Sequence, residues 1–396
     1  MTRPFTITID GRTIFDEPRR GIAKTTIEQY RALAGLRPAW HFRVFYAEGR
    51  EPDPFADLPN VRCERLRMKG DRFDLWARLR LPLANAAARP DLFHAAAGLA
   101  PPFPGAPLVT TINDLIPLEV GRTDPAALAW AANVRRTARR ARAVLTPSEF
   151  SKGRIVALLG VNPAKVHVVP WASTSPPAFP APDHLAAARA RFGVPPGDRY
   201  VLHFGMTDPR KNTAALLEAW ARVPAAARRG ARLVVVGLSD AGRAHFAGAG
   251  AARPGWAGGV GVFGYVPEED VGVLLAGAAV LAYPTLYEGF GLPVLDGFAA
   301  GVAVLTGRTT SLPEVAGDAA LTVDATDPDA LAGGLARLLG DDDCRAEFVR
   351  RGAERVARFT WRRTAELTAG VWEWTSNGTT PASPRPGPGS PGGPRR

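Results

Sequence analysis

Short runs rich in β-branched and aromatic residues alternate with longer stretches rich in alanine, leucine and arginine along residues 5–373. This alternation predicts α/β domains with parallel sheets, in which helices follow the strands. Six strands are predicted in the first half: Phe5 to Asp10, His41 to Tyr46, Leu92 to His94, Leu108 to Asn113, Ala143 to Pro147 and Val166 to Val169. Six more are predicted in the second half: Tyr200 to Phe204, Arg232 to Val236, Gly261 to Phe263, Val280 to Tyr283, Val302 to Leu305 and Leu321 to Val323. We expect each series to form its own sheet.

The stretch between the two series, Ala172 to Asp183, is rich in Ser, Thr and Pro, which is typical of a linker. We therefore predict one domain over residues 1–175 and a second over residues 176–360. Residues 375–396 contain six prolines and five glycines and no acidic or large apolar side chain. Such a composition cannot bury a core, so this tail is expected to be disordered.

The cysteines and the apolar runs indicate in which cellular compartment the protein is expected. Cys63 and Cys344 are the two cysteines and lie far apart, which excludes a disulfide framework and favours a reducing interior. Met1 to Asp10 has no apolar core of signal-peptide length, and the longest nearly uncharged run, Val271 to Pro284, is shorter than the ~20 residues of a membrane span. We therefore expect a cytoplasmic protein.

The formal net charge of +11 is concentrated in the first 180 residues, where Lys and Arg outnumber Asp and Glu by 26 to 16. Part of this excess lies in Arg62 to Arg80, where seven basic and three acidic residues are interleaved with Phe73, Leu75, Trp76 and Leu79. This segment fits either a solvated helix surface or a patch that lies on an anionic membrane, such as the inner face of the plasma membrane. No recognition-module pattern accompanies the charge, so a nucleic-acid partner is not expected.

In an open parallel sheet, ligands collect beyond the carboxyl ends of the strands. The loop after Val280 to Tyr283 supplies five candidate site residues, Glu288, Gly289, Phe290, Gly291 and Leu292. The glycines let the backbone approach a ligand, and the free amides of the helix that follows suit a phosphate. Glu288 in the loop and Asp296 in the helix supply carboxylates that can accept hydroxyl hydrogen bonds from a sugar. The alternative is a glycine-rich loop with a helix-capping acid.

A second loop runs from Gly205 to Thr213 and carries Arg210 and Lys211 beside a predicted helix start. Cations are disfavoured at a helix N-terminus unless an anion lies between them and the helix. The pair therefore predicts a bound diphosphate, and Gly205 is a further candidate in the same loop. The alternative is a solvated surface pair.

Two further candidates lie in the first half. Gly21 follows the first strand and would allow a phosphate or sugar to approach the backbone, although such a glycine is more often only part of a turn. Asn113 follows the strand that begins at Leu108, where a polar side chain suits substrate hydroxyls. An Asx turn explains Asn113 almost as well.

Four motifs of the second half resemble those of the retaining nucleotide-sugar glycosyltransferases of family 4: Tyr287 to Pro293, Pro209 to Asn212, Ser311 to Ala320 and Phe263 to Pro267. Thr146 to Lys152 and the Gly21 turn extend the resemblance to about residues 5–373. It implies the GT-B architecture, in which two Rossmann-like domains with parallel sheets face each other across a cleft. A last helix, 361–374, would cross back to the first domain. The first domain would bind the acceptor and the second the nucleotide sugar, with no metal and no cofactor.

The resemblance also implies roles for individual residues. Glu288 would hold hydroxyls of the donor sugar. The amides of Gly291 and Leu292 would meet the diphosphate, and Arg210 and Lys211 would neutralise it. The acceptor hydroxyl would attack from the face that the diphosphate leaves, which retains configuration without a protein nucleophile.

Two positions depart from the family's pattern. Asp296 stands where the family usually has a glutamate that binds ribose hydroxyls, which bears on nucleoside affinity or choice. Asn113 stands where many members have a histidine that contacts the donor sugar near its 6-position. Because Asn still donates and accepts hydrogen bonds, we predict an altered donor preference, towards a 6-deoxy sugar, rather than a loss of activity.

The sequence thus predicts an enzyme that moves a hexose from a nucleoside diphosphate to a hydroxyl acceptor in glycan, glycolipid or natural-product biosynthesis. GDP-mannose is the first donor to test. The alternative from another class is a non-catalytic scaffold protein that binds nucleotide sugars, and a third is a basic nucleic-acid binder. A saccharide, a lipid-linked molecule and a natural product all remain open as the acceptor.

Overall fold

A computed structural model of the chain describes residues 3–15, 21–47, 52–68, 75–174, 180–205, 208–252 and 259–377. These residues contain two parallel sheets with intervening helices, which confirms the predicted α/β class. The first sheet consists of β1 (Thr6–Asp10), β2 (His41–Tyr46), β3 (Val61–Arg65), β4 (Leu92–Ala95), β5 (Leu108–Thr111), β6 (Ala143–Thr146) and β7 (Val166–Val168). The second consists of β8 (Tyr200–Phe204), β9 (Arg232–Val236), β10 (Val260–Val262), β11 (Val280–Tyr283), β12 (Ala303–Gly307) and β13 (Leu321–Val323).

Helices follow the strands in both halves. Those of the first half are α1 (Gly21–Leu36), α2 (Leu81–Ala88), α3 (Ile116–Glu119), α4 (Pro125–Arg140) and α5 (Glu149–Leu159). Those of the second half begin with α6 (Pro182–Arg191), α7 (Thr213–Arg222), α8 (Ala225–Arg228), α9 (Asp240–Ala252) and α10 (Glu268–Gly277). The remainder are α11 (Leu292–Ala299), α12 (Leu312–Ala316), α13 (Pro328–Gly340), α14 (Asp342–Val356) and α15 (Trp361–Asn377).

Both sheets change the direction of strand progression at their centre. The strand orders are β3-β2-β1-β4-β5-β6-β7 and β10-β9-β8-β11-β12-β13. The change falls between β1 and β4, and again between β8 and β11. The loops that leave two such strands run in opposite directions and open a crevice at the carboxyl edge of the sheet, where ligands bind.

Each strand of the sheet interior is buried on both faces. On β9, the neighbouring residues Val234 and Val235 belong to different core clusters. This follows from the strand geometry, because successive side chains point to opposite faces of a sheet. Strands of this kind are nearly continuous apolar runs, which is why the sequence pattern locates them.

One strand, β3, is not predicted by the sequence pattern, and it occupies the start of the basic segment Arg62 to Arg80. It lies at the edge of the first sheet, where charged side chains are tolerated. Residues 69–74 of this segment lie outside the described residues. Both interpretations of this segment, a solvated surface and a membrane patch, would expose Trp76, but it is 2% exposed, and its Nε1 donates to the Leu66 carbonyl at 2.8 Å. Trp76 is therefore a core residue and does not face a membrane.

The last helix, α15, packs into the core of the first sheet. Trp372 is fully buried there, with its ring centroid 6.4 Å from that of Tyr30 on α1. The helix continues to Asn377, so residues 375–377 are helical and not part of a disordered tail as the composition predicts. Burial explains the difference, since Thr375 is 3% exposed. Residues 378–396 lie outside the described residues.

Candidate active site

Loops that follow strands of both sheets enclose a cavity of about 270 Å³. From the first half, the wall contains Gly21, Ile22, Lys24, Asn113, Asp114, Trp171 and Thr174. From the second half, it contains Lys211, Tyr283, Glu288, residues 289–293 and Asp296. The cavity therefore collects residues that are far apart in the sequence and that come from both domains.

Lys211, Tyr283 and Glu288 form a hydrogen-bonded cluster in this wall. The Lys211 ammonium donates to Glu288 Oε1 and to the Tyr283 hydroxyl, both at 2.7 Å. The Tyr283 hydroxyl donates to the same Oε1 at 2.6 Å. The Lys211 and Glu288 side chains are only 15% and 14% exposed, so each charge needs a partner in the absence of a ligand. The cluster thus keeps a cation and a carboxylate side by side in a largely desolvated place.

The protonation of Tyr283 fits this arrangement. Burial raises the pKa of Tyr283 well above its ordinary value, and the Glu288 carboxylate raises it further. The hydroxyl therefore remains protonated and can donate to Glu288. A second acid of the wall, Asp114, also has a pKa raised by burial, which the hydrogen bond from the Ile116 amide opposes.

Two loops that the sequence analysis treats separately are joined into one unit. The β11–α11 loop (residues 284–291) follows Tyr283, and its Leu286 amide donates to the Arg210 carbonyl at 2.8 Å. The Thr285 hydroxyl donates to the same carbonyl at 2.9 Å. These bonds bring the turn after β8 against the β11–α11 loop, and this is what allows Lys211 to reach Glu288.

Arg210 is not part of the cavity wall, unlike its neighbour Lys211. The Arg210 Nε donates to the Asp208 carboxylate at 3.0 Å, and its Nη1 donates to the Tyr287 carbonyl at 3.2 Å. Asp208, two residues upstream, is thus the anion that satisfies this guanidinium. The structure places one of the two predicted cations at the cavity and the other behind the β11–α11 loop.

The start of α11 forms the neighbouring part of the wall. Gly291 precedes the helix with φ of +108°, and a Cβ there would lie 3.0 Å from Leu312 Cδ2, so the position requires glycine. The first amides of a helix have no partner within the helix, and the residues at this start, Gly291 and Leu292, belong to the cavity wall. Phe290 is also a residue of the wall but is only 3% exposed, and its ring packs against that of Trp171 with 5.5 Å between the ring centroids.

Asp296 lines the cavity but already has partners in the chain. Its Oδ1 accepts hydrogen bonds from the Ser173 hydroxyl at 2.6 Å and from the Thr174 amide at 3.1 Å. These residues lead out of the first domain, so Asp296 holds the segment between the two sheets. A contact of Asp296 with ribose hydroxyls stays a prediction, and it would share the carboxylate with Ser173.

Gly205 does not lie in the cavity wall. A Cβ at this position would lie 2.7 Å from Val235 Cγ1 and 3.1 Å from Thr213 Oγ1. Close packing against Val235 and Thr213 is thus sufficient to explain the glycine, and a donor contact at Gly205 stays a prediction. Residues 206–207, which follow it, lie outside the described residues.

Gly21 and Asn113 do lie at the cavity, on the side of the first domain. Gly21 is the first residue of α1, and residues 16–20 before it lie outside the described residues. The Oδ1 atom of Asn113 is buried and has no hydrogen-bond partner within the part of the chain that the structure describes. It is an acceptor that a ligand hydroxyl can satisfy.

Tyr283, Asp114 and Lys24 are wall residues that the sequence-based site does not include. Tyr283 is the last residue of β11 and reads as an ordinary strand residue. The signal that points to it is its place at the carboxyl end of a central strand, five residues before Glu288. Asp114 and Lys24 carry the same kind of signal, since each belongs to a loop or helix start that follows a strand.

Other acidic residues have structural partners. Asp341 accepts a hydrogen bond from the Cys344 amide at 2.8 Å and caps α14, and Asp342 pairs with Arg199 and Arg345. Among the described residues, no three His, Cys, Asp or Glu side chains are grouped as metal ligands would be. No helix in the same ranges has the length and apolar character needed to cross a bilayer.

Comparisons with known proteins cover both domains. The family model of Glycosyltransferase Family 4 matches residues 19–172, and that of Glycosyl transferases group 1 matches residues 186–355. The O-antigen chain mannosyltransferase B of Escherichia coli is 32% identical over 244 residues, which are 59% of this chain and 61% of that protein. A D-inositol 3-phosphate glycosyltransferase of Segniliparus rotundus is 29% identical over 223 residues, 55% of this chain and 49% of that protein. The match thus spans between half and three fifths of these relatives' length.

Solved structures match the fold over nearly the whole chain. Sucrose-phosphate synthase from Thermosynechococcus elongatus superposes with a TM-score of 0.74 at 20% identity, covering 95% of this chain and 100% of that one. Anabaena HepE in complex with UDP and glucose gives a TM-score of 0.71 at 16% identity, covering 92% and 98%. The fold and the two family models together define a GT-B protein of the glycosyltransferase class. Within that class, the chain belongs to the group 1 glycosyltransferases and resembles family 4.

Proposed function

We propose that this chain is a glycosyltransferase that moves a hexose from a nucleoside-diphosphate sugar to a hydroxyl acceptor, with retention of configuration and without a metal ion. The observation that carries the proposal is the Lys211–Glu288 pair at 2.7 Å, beside the start of α11, in a cavity between the two domains. A cation next to free helix amides suits a diphosphate, and a carboxylate next to them suits sugar hydroxyls. Membership of the group 1 glycosyltransferases supports the same reaction class.

The chemistry follows from where charge develops. Cleavage of the bond between the anomeric carbon and the phosphate builds negative charge on the leaving diphosphate and positive character on the sugar ring. Lys211 and the amides of Gly291 and Leu292 meet the negative charge, and removal of one such preorganised group costs roughly 100-fold or more in kcat. Glu288 exchanges Lys211 for donor hydroxyls, while Tyr283 continues to hold its Oε1. The acceptor hydroxyl attacks from the face that the diphosphate leaves.

GDP-mannose is the first donor that we propose, because the Escherichia coli relative is named as a mannosyltransferase. One feature of the cavity wall argues against the predicted preference for a 6-deoxy sugar. The Oδ1 of Asn113, which has no hydrogen-bond partner among the described residues, is an acceptor that a sugar 6-hydroxyl would satisfy and a 6-deoxy sugar would not. Initial rates with GDP-mannose and its 6-deoxy counterpart decide the matter, and a clear preference for GDP-mannose would overturn the 6-deoxy prediction.

Donor turnover tests the reaction itself. We expect the protein to hydrolyse its nucleotide sugar slowly in the absence of an acceptor, and Glu288→Ala to abolish this hydrolysis while the protein stays folded. Glu218→Ala is the matched control, because Glu218 is a surface residue on α7 that pairs with Arg222 on the same helix. Donor binding without turnover across a broad panel of acceptors would favour the non-catalytic scaffold. Unchanged activity in the presence of EDTA supports the absence of a metal requirement.

We also propose that the first domain contacts an anionic membrane, where a lipid-linked acceptor would lie. Leu75, Leu79 and Leu83 are 41%, 51% and 59% exposed and recur every four residues along the helical segment that leads into α2. Arg78 and Arg80 flank them and are exposed. An apolar stripe with basic borders is the arrangement of helices that lie in a membrane interface. Trp76 has no part in this surface.

Flotation with anionic vesicles tests the membrane proposal. We expect the protein to float with vesicles that contain phosphatidylserine and to do so less when Leu79 and Leu83 are both changed to serine. Leu128→Ser is the control, because Leu128 is 55% exposed but lies on α4. Equal flotation of all three proteins, or none, would refute the proposal.

A further inference from the structure

The start of α5, in the first domain, contacts the β11–α11 loop of the second. The Ser148 hydroxyl donates to the Gly289 carbonyl at 2.6 Å, and the Ser151 hydroxyl donates to the same carbonyl at 2.9 Å. Both serines are almost fully buried, at 0% and 2% exposure. Two hydroxyls of one domain thus converge on one peptide group of the other.

A carboxylate of the second domain completes the contact. Glu314 on α12 accepts hydrogen bonds from the Glu149 amide at 2.9 Å and from the Phe150 amide at 3.3 Å. These amides belong to the first turn of α5, where the helix offers no partner and the helix dipole favours a negative charge. Glu314 therefore caps a helix of the opposite domain.

The contacted peptide group lies inside the proposed site. Gly289 directly follows Glu288, and the Ser311 hydroxyl holds the Glu288 and Phe290 carbonyls on either side of it at 2.9 and 2.8 Å. Glycine is needed here, because a Cβ would lie 2.6 Å from the Asn113 carbonyl oxygen. The position of Glu288 is thus determined by hydrogen bonds from both domains.

We propose that Ser148, Ser151 and Glu314 form an interdomain latch that positions the β11–α11 loop and couples closure of the cleft to donor binding. The inference rests on the proposed function, since it takes this loop to be the donor site. It gives a role to two motifs, Thr146 to Lys152 and Ser311 to Ala320, that otherwise mark only the family resemblance. These are positioning residues, because none of them lies in the cavity wall.

The latch is suited to opening and closing. Its hydrogen bonds join polar groups that water can satisfy when the domains separate, so opening does not strand an unpaired group. The cost of opening is then modest, and a ligand that bridges both domains can shift the balance. A donor that contacts Asn113 on one side and Lys211 on the other would favour the closed form.

Glu314→Ala and Ser151→Ala, made in the full chain without ligand, test the latch. Ser148 is left unchanged because its side chain also caps α5 by accepting from the Ser151 amide. We expect faster hydrogen exchange at the Glu149 and Phe150 amides in Glu314→Ala, and a larger radius of gyration by X-ray scattering in both variants. Asp318→Ala is the control, since Asp318 is an exposed acid in the same motif and should leave both measurements at the wild-type values.

Kinetics provide a readout that a merely structural role would not produce. If GDP-mannose is turned over, we expect the donor KM to rise about tenfold in the two variants while kcat at saturation falls less, because saturating donor restores closure. Glu314→Gln should recover part of the loss, since its amide oxygen still accepts one bond. Wild-type exchange and radius of gyration in both variants would overturn the latch, even in an active enzyme. Open variants of a protein that turns over no donor would uphold the latch and refute the proposed function.

Discussion

Gly289 packs directly against the first domain, and a methyl group there is expected to force the two domains apart. In Gly289→Ala, the new Cβ would lie 2.6 Å from the Asn113 carbonyl oxygen and 2.7 Å from Asp114 Cβ. Ordinary contact begins at 3.4 Å, so the separation must grow by about 0.8 Å. The 2.6 Å bond from the Ser148 hydroxyl would stretch to about 3.4 Å if the loop retreats along that line, where little hydrogen-bond energy remains.

A displacement of this size matters for the reaction, because a misplacement of about 1 Å costs ~100-fold in rate. We therefore expect kcat/KM for the nucleotide sugar to fall about 100-fold in Gly289→Ala, with a larger radius of gyration in the same protein. The matched control is Gly153→Ala on α5, where a Cβ meets nothing within 4 Å. Alanine is favoured over glycine inside a helix, so this control should keep its activity and show a melting temperature at or above that of the wild type. Activity of Gly289→Ala within threefold of the wild type would refute the steric argument.

Three further predictions concern groups at and near the cavity. Tyr283→Phe removes a hydrogen bond to a charged group worth about 1.5–3 kcal/mol, so kcat/KM should fall roughly 10- to 150-fold in steady-state assays, and an unchanged value would deny Tyr283 a role in holding Glu288. Lys211→Met should lower kcat by about 100-fold or more and weaken binding of the free nucleoside diphosphate in calorimetry. If both kcat and this affinity stay at the wild-type values, Lys211 does not bind the diphosphate. Burial lowers the pKa of His203 to about 4, so its contribution to stability is complete above pH 6.5 and is lost as the pH falls towards 4, a change of about 3 kcal/mol. The urea midpoint should therefore fall less between pH 7 and pH 4 in His203→Gln than in the wild type. An equal fall in both proteins would contradict the lowered pKa of His203.

The sequence pattern locates strands that are buried on both faces, such as β8, β9 and β11, because their apolar runs have no other explanation. The sequence pattern does not predict β3, because this strand is not a buried apolar run. Three of its five residues are charged, and its assignment depends on pairing with β2 at the sheet edge, which is a property of the assembled sheet. The sequence pattern also fails to predict the end of α15. Thr375 is helical because the first domain covers it, which is again a property of the folded chain.

The site was predictable where chemistry follows directly from local sequence. A glycine-containing loop that ends in a helix start indicates a phosphate site by itself, and Glu288 and Lys211 stand out within their loops. The direction of a side chain is not local information. Arg210 and Lys211 are neighbours, yet Asp208 draws the Arg210 guanidinium away from the cavity. Tyr283 becomes visible only when the structure places its hydroxyl between Lys211 and Glu288.

The central claim is that Lys211 and the start of α11 hold a nucleoside diphosphate. Thermal unfolding with GDP, UDP, dTDP and ADP, in the wild type and in Lys211→Met, tests it most directly. A ligand at 100 times its Kd stabilises the folded protein by about 2.7 kcal/mol, which is a measurable rise in melting temperature. We expect one of the four nucleotides, GDP first, to raise the melting temperature of the wild type and to raise that of Lys211→Met far less. Protection by none of them, or equal protection of both proteins, would contradict it.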